Sequence, residues 1–210
     1  MPETTTHPNH NTMNTITKLA ACAALTITSP LAFADGFVRP LVELVSPHLA
    51  GYSTKAGIGV VVGSQFGKQR EHEISFECAG TQWNTAQVTS AGVAAVSERF
   101  VSYLVNYRYH FGSATAPVRF YVGPAVGLTN NNVSFAVART SGVVADQDSL
   151  WCLTWSASAG LTWALSTRID LDLGYRYLHV QPQNATLAGS AFNGETVQAN
   201  VVYAGVGFRF

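Results

Sequence analysis

The chain has 210 residues, 11% of them charged, and a formal net charge of zero, so it fits one domain and gives no basis for binding a polyanion such as nucleic acid. That charge content is well below the roughly 25% of soluble domains and is too small to cover a solvated surface. No run approaches the ~18 consecutive apolar residues of a membrane-crossing helix, which leaves a hydrophobic signal split over alternating positions.

Residues 1–12 are polar, and Met13 is the better start. Lys18 precedes an apolar stretch from Leu19 to Thr28, and Ala32-Phe33-Ala34 follows. A positive head, a short apolar core and a small-x-small site make a secretory signal peptide. Cleavage is expected after Ala34, so 1–34 is an extension plus signal peptide and 35–210 is the mature domain. Leu19-Ala20-Ala21-Cys22 resembles a lipoprotein box, but almost no apolar run precedes it, so lipidation is not expected. Two cysteines then remain, Cys78 and Cys152, near strand ends on the same side. Export permits a disulfide, but the two fall on nonadjacent segments, so a bridge and two thiols both stay open.

Eight segments show period-two alternation or a β-prone run: 37–45, 57–66, 69–78, 98–111, 118–128, 150–164, 168–179 and 197–210. Short connections (67–68, 112–117, 165–167) alternate with long ones (46–56, 79–97, 129–149, 180–196). The fourth segment puts Val105, Tyr107, Tyr109 and Phe111 on one parity and Asn106, Arg108 and His110 on the other. In the sixth, Trp151, Leu153, Trp155 and Trp163 oppose Cys152, Thr154, Ser156 and Thr162. Each strand thus has an apolar face and a polar-or-small face. A soluble barrel with an apolar interior has the same alternation. Aromatics near the strand ends, and glycines mixed with charges on the polar face, favour an all-β, eight-stranded antiparallel transmembrane β-barrel. Short turns then face the periplasm and long loops the outside.

The last segment places Val202, Ala204, Val206, Phe208 and the terminal Phe210 on one parity. It resembles the assembly signal that the barrel assembly machinery reads. With Gly59 to Phe66, Phe120 to Gly127, Asp172-Leu173-Gly174-Tyr175-Arg176-Tyr177 and Gly205 to Phe210, the region 37–210 resembles the OmpA/OmpX-like and opacity-protein barrels of the Gram-negative outer membrane. The resemblance implies a monomer among outer-membrane lipid and lipopolysaccharide. Its role would be structural or adhesin-like, with a host or matrix ligand met by loops 79–97 and 129–149. No peptidoglycan-binding domain is expected, because the sequence closes on the eighth segment.

The inward parity collects the acids Glu43, Glu71, Glu73, Asp170 and Asp172 and the bases Arg39, Arg108, Arg119, Arg176 and Arg209. Eight strands leave an interior that side chains just fill, so this set is expected to plug the lumen as a charge network. A narrow, low-conductance pore is the alternative. Some related small barrels are lipid A-modifying enzymes. His179 is the one candidate base, but Gln181 stands where a His-x-Ser arrangement would need the nucleophile, so no enzyme is expected. No histidine pair has metal-ligand spacing, and no cofactor motif is present.

Overall fold

The computed structural model describes residues 35–49, 51–89, 92–139, 142–182, 185–187, 190–192 and 196–210. The predicted signal peptide lies outside them. The strands are β1 (Gly36–Pro47), β2 (Lys55–Phe66), β3 (His72–Thr89), β4 (Gly92–His110), β5 (Val118–Arg139), β6 (Gly142–Ala164) and β7 (Ile169–Val180), then a small hairpin of β8 (Ala185–Leu187) and β9 (Ser190–Phe192), and last β10 (Val197–Arg209). Eight of them close into one antiparallel barrel in the order β1-β10-β7-β6-β5-β4-β3-β2. Closure comes from β1 on β10, in a register that sets Leu41 opposite Gly205 and Leu44 opposite Val202.

The alternation of the sequence becomes the two faces of the wall. Phe120 is 65% exposed and Trp163 52%, whereas Arg39 is 1% exposed and Asp172 0%. Large apolar groups outside and charges inside reverse the order of a soluble barrel, and only lipid makes that order favourable. Trp151 and Trp163 mark the two edges of the apolar band. They stand twelve residues apart on β6, which is ~40 Å along the strand and ~30 Å along a barrel axis tilted by about 40°.

Two expected loops prove to be strand. Segments 79–97 and 129–149 continue the β3–β4 and β5–β6 ladders, which run as far as Thr89 opposite Gly92 and Arg139 opposite Gly142. The alternation of large apolar against polar residues fades along these segments, but the backbone pairing does not need it. At the other end, the expected two-residue turn Gly67-Lys68 takes in residues 67–71. Gly67 (φ 93°) and Arg70 (φ 52°) both adopt the left-handed region, and Arg70 pairs with Asp35 at 2.5 Å. Pro124 sits inside β5. Having no N–H, it cannot donate to a ladder, and the β4–β5 pairing lapses between Asn106–Ala125 and Tyr109–Val122.

Candidate functional site in the barrel lumen

The inward parity of seven strands carries the polar groups of this cluster. Arg39 on β1 points one terminal nitrogen at Asp172 (2.9 Å) and Glu73 (3.4 Å) and the other at Asp170 (3.7 Å). Arg108 on β4 reaches the same Asp172 oxygen at 2.7 Å and Glu73 at 3.5 Å, and lies 4.5 Å over the Tyr121 ring. The Tyr121 hydroxyl donates to the other Asp172 oxygen at 2.6 Å and meets the Tyr203 hydroxyl at 2.8 Å. Glu73 also meets Gln65 Nε2 and His110 Nε2, each at 3.1 Å. Near the periplasmic rim, Arg209 Nε donates to Asp170 at 2.9 Å. Charge-assisted contacts of this length are what allow buried ions to be tolerated at all.

One layer further out, Arg176 on β7 holds Glu77 on β3 with both terminal nitrogens, and Asn106 donates to the same carboxylate at 3.3 Å. Above this pair, Val45, Trp83, Ala199, Val201 and Tyr203 form an apolar cluster in the outer half of the lumen.

Not every residue of the expected set joins this cluster. Arg119 is buried but donates to the Arg70 carbonyl at 2.9 Å. Glu71 belongs to the turn. It precedes β3, accepts the Gln69 N–H at 2.7 Å and is about one-quarter exposed. The backbone N–H groups of Glu71 itself and Gln69 hold its carboxyl below the usual range. Glu43 is buried inside but takes part in no ion pair among the described residues. Glu77, His110, Tyr121 and Tyr203 enter the network without having been singled out in the sequence. Glu77 has the parity of Glu71 and Glu73 and lies within the same predicted segment, 69–78, so following the alternation four residues past Glu73 finds it.

The inward glycines make room for the plug. A Cβ on Gly207 would collide with the Asp170 carboxylate, and one on Gly174 would collide with the Tyr121 and Tyr203 rings. Cys78 takes the outward parity, opposite Tyr103, while Cys152 takes the inward one, opposite Thr129. Both are buried, and no disulfide joins them. His179 faces outward and stacks on Trp155 with ring centroids 4.9 Å apart, in the outer aromatic girdle. The terminal strand turns Val202, Ala204, Val206 and Phe208 outward, and Phe210 is 76% exposed.

A lumen crossed by bridged side chains from β1, β3, β4, β7 and β10 leaves no continuous aqueous path of porin width. Purified protein in a planar bilayer is therefore expected to give no large, stable single-channel steps. Such steps would show that the plug opens.

The family described as outer membrane protein beta-barrel domain matches residues 19–210. None of the curated proteins matches the chain. Several solved structures share its fold. Neisserial surface protein A is 16% identical with a TM-score of 0.58, over 83% of this chain and 97% of that one. A major outer membrane protein of Thermus thermophilus is 10% identical with a TM-score of 0.52, over 83% and 99%. Ail, the attachment invasion locus protein of Yersinia pestis, solved with the heparin analogue sucrose octasulfate, is 13% identical with a TM-score of 0.50, over 84% and 98%.

Proposed function

Since the chain belongs to the outer membrane protein beta-barrel family, we propose that it is a non-enzymatic surface-recognition protein of the cell outer membrane. The barrel is its anchor and the projecting hairpins are its contact surface. One observation carries this reading. β2 leaves β3 at Thr81 and β7 leaves β6 at Thr154, yet β3, β4, β5 and β6 stay paired beyond those points. The result is a four-stranded sheet standing past the barrel rim on the side of the long connections, which is the outside of the cell.

The sheet is built for amide and hydroxyl contacts. Ser97 donates to Asn84 at 2.8 Å, and Asn130 to Ser149 at 3.0 Å. Its charges (Glu98, Arg99, Arg139, Asp146 and Asp148) nearly cancel, so a sulfated polyanion of the kind bound to Ail is not the expected partner. A host or matrix macromolecule read by neutral polar groups is. Export through cleavage after Ala34, delivery by assembly machinery that reads Val202 to Phe210, and a monomeric state among lipopolysaccharide complete the proposal.

Shortening both hairpins to tight turns, one from Asn84 to Ser97 and one from Asn131 to Ser149, tests it. Insertion and thermal stability are expected to stay unchanged, because Trp83 and the lumen are kept. Adhesion of expressing cells to host cells or matrix is expected to fall to background. Adhesion that survives both deletions would sink the recognition role.

A further inference from the structure

We propose that the outer end of the lumen binds the protonated amine of a small amphiphile, with Glu43 as its counter-ion. This site is independent of recognition at the projecting sheet. It is a cavity of about 40 Å³ lined by Glu43, Tyr52, Trp83, Phe100, Leu178 and Val180, among others. One water needs roughly 10–15 Å³ by the same kind of measure, so the space suits a head group and the first carbon behind it, not a whole ligand.

Charge decides which head group. Glu43 is 8% exposed and has no ion-pair partner among the described residues. Arg176 has both terminal nitrogens on Glu77. With Glu71 in the turn and Glu77 counted, the lumen holds five acids and five arginines, and Glu43 is the acid that stands outside the ion pairs because Arg119 donates to the Arg70 carbonyl instead. A Cβ on Gly57 would lie 2.8 Å from the Glu43 Oε1 and from the Thr81 Oγ1, so only glycine leaves both groups their space. That Thr81 hydroxyl is already spent on the Ala56 carbonyl at 3.0 Å.

The walls suit a cation with an apolar tail. Phe100 meets Trp83 edge-on at 5.3 Å, and Tyr52 meets it at 6.1 Å. Trp83 is fixed by its Nε1–H donating to the Ser53 carbonyl at 2.9 Å. Aromatic faces attract ammonium groups, and Leu178 and Val180 offer the tail an apolar surface.

The test is a titration of the full-length protein in zwitterionic micelles with butylammonium chloride, and separately with butan-1-ol. The Trp83 indole N–H resonance is the readout. Butylammonium is expected to half-saturate at a concentration about tenfold lower than the alcohol, as a charge-assisted contact implies. Glu43→Gln should erase that gap while far-UV circular dichroism stays unchanged. Overhauser contacts from the butylammonium α-methylene to the Trp83 ring are expected in the wild-type protein, which needs no variant to fold. Equal titration by the two compounds, a gap that survives E43Q, or absence of those contacts would each overturn the site.

Discussion

Asp172→Ala is expected to destabilise the barrel by about 3–5 kcal/mol, the cost of leaving a buried charge without its partner. Asp172 is 0% exposed and is the acid shared by Arg39 at 2.9 Å and Arg108 at 2.7 Å. Its removal leaves two guanidinium groups competing for Glu73, which lies farther from both, at 3.4 and 3.5 Å. It also removes the carboxylate to which the Tyr121 hydroxyl donates at 2.6 Å, leaving that hydroxyl with the Tyr203 hydroxyl at 2.8 Å. Asp172→Asn keeps an acceptor for Tyr121 and should lose less. Urea unfolding in lipid vesicles, followed by circular dichroism, measures both variants. A loss below about 1 kcal/mol for the alanine variant would mean that water enters and solvates the freed guanidinium groups. The plug would then not be sealed.

Gly123→Ala is the second large effect, for a reason of space alone. A Cβ there would fall on the Tyr107 carbonyl oxygen and lie 2.9 Å from the Arg108 Cα, both in the β4 backbone. A side chain can swing aside, but a strand held in a closed wall cannot. The ladder is already interrupted here beside Pro124. Overpacking ordinarily costs about 1–3 kcal/mol, and this contact should reach about 3 kcal/mol or more. Gly80→Ala is the matched control. Its Cβ would meet only the Phe100 carbonyl oxygen at 3.5 Å and a Val101 methyl at 3.7 Å, ordinary contacts. The same vesicle unfolding should find G80A near neutral. Equal losses for the two variants would show that the close approach at Gly123 relaxes freely.

The eight barrel strands are legible in the sequence because lipid on one side and lumen on the other impose opposite demands on successive residues. Tyr107 and Arg108 are neighbours in sequence, yet one is 37% exposed and the other 1%. Where that contrast ends, legibility ends with it. Asn130 to Arg139 read as a loop because the run Asn130-Asn131-Asn132 interrupts the apolar–polar alternation, although their backbone ladder is unbroken. The lumen shows a second limit. Charged residues declare themselves by parity, but a tyrosine suits either face. The Tyr121 and Tyr203 hydroxyls lie 82 residues apart in sequence, and barrel closure alone brings them to 2.8 Å. Glu71 shows a third limit. Its parity counts as inward only if the preceding turn has two residues, and the turn is longer.

Continuity between the projecting sheet and the wall has a mechanical meaning. β3 to β6 pass from rim to sheet without an intervening coil, so the sheet has no hinge. Tension applied at its tip runs along the strands and loads ladder hydrogen bonds that lie across the pull. Those bonds share the load in shear and do not open one after another. A cell held by this protein would be tethered through a stiff lever rooted in its envelope, and the contact at the tip would give way before the anchor did.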